Sequence, residues 1–216
     1  MTLNTPIAAL RKRTVPGAKP DSLENCDFCS TLLFPQHRHL LEVASRKIIC
    51  ACDPCALRFE SVINGRFRLI PREGRELPNF RLDDAEWDNL ALPINLVFIF
   101  HNSLSGKPVA IYPSPAGPTE SLLGLESWQR ILAENCELED LKPDVEALLI
   151  NRIGKARDYF IAPLDVCFEL VGLIRRNWRG FSGGETVRVE IETLFNRLHE
   201  QSARTANRNL KEAAYA

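Results

Sequence analysis

The chain has 216 residues, 45% of them hydrophobic and 25% charged, with a formal net charge of −1. That length and apolar content can close a core without disulfides, and the near-neutral balance argues against a general nucleic-acid binder. The longest apolar run, LPINLVFIF, is too short to cross a bilayer, and the N-terminus lacks an apolar stretch of signal-peptide length, so a cytoplasmic protein with no membrane insertion is expected.

The charge is uneven. Residues 1–81 carry 13 Lys+Arg against 8 Asp+Glu, a surplus of +5, and the remainder stands at −6. The basic third reads first as a solvated face, with an acidic partner or RNA as the alternative.

Residues 1–22 have no periodicity and read as a flexible tail. Residues 23–62 hold five of the seven cysteines: Cys26 and Cys29 in CDFC, then Cys50, Cys52 and Cys55 in IICACDPC. RFRLIP (66–71) reads as a short strand. LDDAEWDNL (82–90) reads as a helix with Asp83 as N-cap and Glu86 completing a capping box. INLVFIFHN (94–102) and KPVAIYP (107–113) form a hairpin across the SLSG turn. Pro113, Pro115 and Pro118 then predict an irregular loop over 112–121. ESWQRILAEN (126–135) is helical, with Leu125, Trp128 and Leu132 on one face. VEALLINR (145–152) and DYFIAP (158–163) form a second hairpin. From Pro163 a helix runs to about Trp178, with Cys167, Leu170, Val171, Ile174 and Trp178 inward. RGFSGG breaks it, and Ser182 with Glu185 caps a last helix whose inner face is Val187, Ile191, Leu194, Phe195 and Leu198. Residues 203–216 read as a fraying tail. The sum is an α+β fold: a small zinc-ribbon-like module, then a domain over 63–202 with an antiparallel sheet of about four strands and helices on one face.

The cysteine spacing carries the chemistry. C-x2-C brings two sulfurs from one turn onto one ion, and a second pair completes a tetrahedral shell. The pairs here are Cys26/Cys29 and Cys52/Cys55. In a reducing compartment, clustered cysteines of this kind point to metal rather than disulfides. A closed four-thiolate shell suits structural zinc, Zn2+; one iron or an iron–sulfur (Fe–S) cluster is the alternative. Cys50, facing the same way as Cys52 in an extended segment, and His37 and His39 in PQHRHLL are the alternative ligands. The knuckles resemble those of zinc ribbons and rubredoxins, except that Ser30 and Ala56 stand where such knuckles carry Gly.

Other candidates are weaker. RGFSGGET opens a helix, and Arg179, Gly183 and Gly184 could hold an anion there, although an inter-helix turn explains them as well. An enzyme would have to use the 112–121 and 178–186 loops, with His101 as base paired to Glu120 or Asp165. Cys167 reads as core, and Cys136 as a loop thiol.

The segments CDFC, FPQHRHLLEV, IICACDPCALRF, IYPSPAGPTES, PDVEALLINR and LIRRNWRGFSGG resemble, from about Cys26 to His199, an uncharacterised bacterial family classed as a domain of unknown function. Its members are often encoded beside nickel–iron (NiFe) hydrogenase genes. The resemblance implies a cytosolic accessory or electron-transfer role near a hydrogenase, and no site residues. Together the readings predict a non-enzymatic zinc-binding accessory protein acting on a protein partner, with an iron electron carrier as the alternative.

Overall fold

The structure, a computed structural model, describes residues 24–62, 65–121, 125–178 and 184–213. Its elements are β1 (Arg38–Glu42), β2 (Lys47–Ala51), α1 (Asp53–Val62), β3 (Phe67–Leu69), β4 (Arg75–Glu76), α2 (Asp84–Asn89), β5 (Leu96–Asn102), β6 (Lys107–Ser114), β7 (Gly117–Ser121), α3 (Leu125–Glu134), β8 (Glu146–Asn151), β9 (Asp158–Pro163), α4 (Leu164–Asn177) and α5 (Gly184–Ala213). The expected 1–22 tail lies outside the described residues, as do Ser182, Arg179 and Gly183. Gly184 opens α5 with a φ of 77°.

The larger sheet has the order β4-β9-β8-β5-β6-β7, with every neighbouring pair antiparallel. Both expected hairpins are present and pair through β5 and β8. The expectation of about four strands is corrected to six. The two extra strands are the edges. β4 spans only Arg75–Glu76, too short to show alternation. β7 grows out of the supposed irregular loop: Pro113 sits opposite Pro118, so neither ring displaces a ladder N–H that the other needs, and an edge strand tolerates proline.

Helices cover both faces, not one. In β8, Ala147 and Leu149 face one core while Leu148 and Ile150 face the other, as the period of two requires. The first core is closed by α4 and α5 through Cys167, Leu170, Ile174, Ile191 and Phe195. The second is closed by Trp87 of α2, Trp128 and Ile131 of α3, and Leu138. The expected inner faces of α4 and α5 are therefore the observed ones. The capping box of α2 forms as expected, with the Glu86 N–H donating to Asp83 and the Asp83 N–H donating to Glu86. α5 continues to Ala213, through the stretch expected to fray. Glu73 holds this part, accepting from Arg208 at 2.7 Å and from the Thr205 hydroxyl at 3.0 Å.

A separate three-stranded sheet, β2-β1-β3, holds Cys50, with the two C-x2-C pairs on the segments before β1 and after β2. β3 lies beyond the expected module boundary at residue 62, yet it pairs with β1. One face of the β1–β2 ladder (Leu40, Ile49, Ala51) closes a small core with Cys26, Leu33, Ala56 and Phe67. Phe28 stacks on Phe59 at 3.9 Å, and Phe67 meets both rings edge-on. The other face (Leu41, with Ile48 beside it) joins the core under α4 and α5. Polar contacts reinforce the junction: the ion pairs Arg46–Glu120 at 2.6 Å and Arg68–Asp144 at 3.1 Å, and the His39–Asp165 hydrogen bond at 2.6 Å. The basic third thus meets the acidic remainder of its own chain.

Candidate metal centre

Four cysteines converge. One sulfur each from Cys26, Cys29, Cys52 and Cys55 lies within 4.8 Å of the other three. Cys29 Sγ and Cys52 Sγ are 3.7 Å apart. A tetrahedron with metal–sulfur bonds of about 2.3 Å has an edge of about 3.8 Å. The cross-pair spacing therefore fits a four-thiolate shell.

Each pair is placed by a different local structure. Cys26 and Cys29 sit on a tight loop: the Ser30 N–H donates to the Cys26 carbonyl at 2.8 Å, and the Cys26 N–H to the Thr31 carbonyl at 2.8 Å. This turn needs a left-handed residue after the second cysteine, which explains the glycine of related knuckles. Here Ser30 adopts that conformation with a φ of 59°. Cys52 lies just before α1 and Cys55 in its first turn, where the Ala56 N–H donates to the Cys52 carbonyl at 2.9 Å. A helix continues from that turn, so position 56 calls for no glycine. Both departures from the resembling knuckles thus have a local structural account.

The thiols are electrostatically unequal. The Thr31 hydroxyl, then the Thr31 N–H, pull Cys29 down to about 6. Burial, then the neighbouring cysteines, push Cys55 up to about 12. Hydrogen bonding thus favours ionisation of one thiol while burial opposes it in another. A bound metal ion deprotonates its thiol ligands outright.

The alternative ligands do not join this shell. β2 ends at Ala51, and Cys52 turns into α1, so Cys50 and Cys52 part company. Cys50 instead groups with His37 and His39. Asp27, between the first two cysteines, clamps Cys50 from both sides: its carboxylate accepts from the Cys50 N–H at 2.8 Å, and its N–H donates to the Cys50 carbonyl at 2.9 Å. Asp165 serves His39 at 2.6 Å. Nothing in the sequence foretold that pairing, since 126 residues separate the two.

The remaining candidates disperse. Asp165 is occupied by His39 and Glu120 by Arg46, while His101 Nδ1 is buried without a hydrogen-bond partner. Residues 112–121 form the β6–β7 hairpin. Of the anion-site trio only Gly184 is described. Cys167 is fully buried, and that burial raises its thiol well above the ordinary range, as suits a core residue. Among the described residues no helix is long and apolar enough to cross a membrane.

The fold and the clustered cysteines define an α+β protein with an N-terminal thiolate cluster able to hold a metal ion. The chain belongs to the family of unknown function DUF5947, which matches residues 25–202. No curated protein and no solved structure matches it.

Proposed function

We propose that Cys26, Cys29, Cys52 and Cys55 hold a structural zinc ion, and that the protein is a non-enzymatic accessory that works by contacting another protein. The observation that carries this reading is the thiol geometry: four sulfurs mutually within 4.8 Å on two short turns. A shell of four thiolates has no open position for a substrate, so the ion stabilises rather than reacts. The cluster joins the loop before β1 to the start of α1. It thereby fixes a module whose own apolar core is small.

Partner contact is supported on the knuckle side. Leu32 is 57% and Phe34 84% exposed, and with Pro54 they line a groove of about 220 Å3 beside Cys52. Apolar surface held open this way suits a protein partner. The hydrogenase setting, in assembly or function, comes from the family resemblance and forms part of the proposal. An iron-bound electron carrier is the competing reading, because the same sulfurs bind iron.

Elemental analysis with an absorption spectrum, on protein purified without oxygen, separates the two. Zinc bound at the tetrad and no visible bands is the expected result. Iron with charge-transfer bands would replace the accessory reading with electron transfer.

A further inference from the structure

His37, His39 and Cys50 are gathered by the β1–β2 ladder. His39 stands directly opposite Cys50 in the register, and cross-strand partners hold their Cβ atoms about 4.5–5.5 Å apart. His37 lies two residues before His39, and their rings meet edge to face at 4.7 Å. One donor atom from each of the three residues lies within 4.8 Å of the others. An ion centred among atoms so spaced stands roughly 2.8 Å from each. Bonds of about 2.0–2.3 Å then need inward shifts of about 0.5–0.8 Å, within reach of side-chain rotation.

Both rings are pre-oriented. The His39 Nδ1–H donates to Asp165 at 2.6 Å, and the His37 Nδ1–H donates to the Phe34 carbonyl at 2.9 Å. Each contact assigns the proton to Nδ1 and leaves Nε2 as the lone pair free to bind. Histidine ligands of metals are held in this way, by a carboxylate or a carbonyl on the other nitrogen. His37 Nε2 is buried and makes no hydrogen bond. Glu24 Oε2 lies 3.3 Å from it, off the hydrogen-bond direction, and 3.9 Å from Cys50 Sγ. A buried nitrogen lone pair, a thiol and a carboxylate oxygen thus face one another with no hydrogen bond to His37 Nε2.

We infer that His37, His39 and Cys50, with Glu24 beside them, form a second transition-metal site, distinct from the four-cysteine shell. Two imidazoles and a thiolate select borderline ions such as zinc or cobalt over calcium or magnesium. Three protein ligands leave a coordination position for Glu24 or for an incoming molecule. A cavity of about 500 Å3 lined by His37, His39, Asp165 and Glu73 opens beside the rings and gives that molecule access, with Arg72, Arg204 and Arg208 at its wall paired to Asp53, Glu200 and Glu73. The site sits where the β1–β2 hairpin meets the N-terminus of α4, so its occupancy ties the module to the sheet domain.

The test is an anaerobic titration of the metal-free full-length chain with cobalt(II), read by absorption, after one equivalent of zinc has filled the tighter site. Wild type should take up a further equivalent of cobalt. H39A and C50S should lose that equivalent and keep the zinc. D165N should bind the same cobalt ten- to a hundred-fold more weakly, because Asp165 positions His39 and is not a ligand. Circular dichroism checks that each variant is folded, and H39Q replaces H39A if that chain fails to fold. Absence of a second equivalent in wild type would overturn the inference, as would a second equivalent unaffected by H39A, H39Q and C50S. Should zinc itself fail to bind the tetrad, cobalt uptake that depends on His39 would still support the second site, so the two readings fail separately.

Discussion

The cysteine module and the six-stranded domain are stabilised by opposite means. Among the described residues, the module's own core has seven buried residues, two of them alanines and one a cysteine of the tetrad. The two cores of the sheet hold 21, the module's Leu41 among them, and 15. At about 1.5–3 kcal/mol for each large apolar side chain buried, the sheet has ample packing to offset chain entropy and the module has little. The difference teaches where a metal at the tetrad would matter: packing alone can hold the sheet, whereas the module has little of it and would draw on the proposed ion.

Metal removal should therefore have the largest effect. Chelation, or Cys29→Ser, is expected to expose residues 24–62 to protease while the elements of the six-stranded domain, β5 to β9 with α4, stay resistant. Limited proteolysis with mass mapping reads this. If chelation opened both regions together, the module and sheet would be one cooperative unit and the contrast would collapse.

Phe160→Ala is the mirror experiment. Phe160 is fully buried in the sheet's larger core, against Phe195 and the His199 ring. Its truncation should lower global stability by about 3–5 kcal/mol in urea denaturation, with metal content unchanged in the folded protein. Loss of metal in the folded variant would show that the two regions are not separately held.

The junction comes next. Asp144 is buried and has Arg68 Nη1 3.1 Å from its Oδ2, while its Oδ1 accepts from the Ser103 N–H at 2.9 Å. Arg68→Ala should cost about 1–3 kcal/mol by leaving that carboxylate without its cation. Combining it with Asp144→Asn should recover part of the loss, and a double-mutant cycle reads the coupling. Additive losses would mean the pair does not join the regions.

Much of this was legible in the sequence wherever the signal is local. The capping box at Asp83 and Glu86, both hairpins, the inward faces of α4 and α5, and the four converging cysteines all follow from spacing along a few turns of chain. What escaped depends on distant partners. β4 and β7 are strands only because β9 and β6 lie beside them. The second helical layer follows from β5 and β8 being apolar on both faces, a pattern that calls for two covering layers rather than one. Cys50 stands outside the tetrad, where its place as an alternative ligand left it, because Cys52 leaves the strand for a helix, and Asp165 reaches His39 from across the fold. The charge imbalance was visible, but its answer lay within the chain.

The smallest effects test the knuckles themselves, and they should have opposite signs. Ser30 is held at a φ of 59°, a conformation that disfavours a side chain by roughly 1–2 kcal/mol. Ser30→Gly should therefore stabilise the module by up to about 1 kcal/mol, less than the full relief because glycine gains entropy in the unfolded chain. Ala56 is buried and lies within α1, where glycine costs about 1 kcal/mol relative to alanine. Ala56→Gly should destabilise by at least that much, since it also removes a buried methyl. The two substitutions look alike from sequence, for each restores the glycine that related knuckles carry. Thermal melts of the metal-loaded variants should move in opposite directions. A common direction would mean that the two turns are built alike and that the helical start of the second pair is not what spares it a glycine.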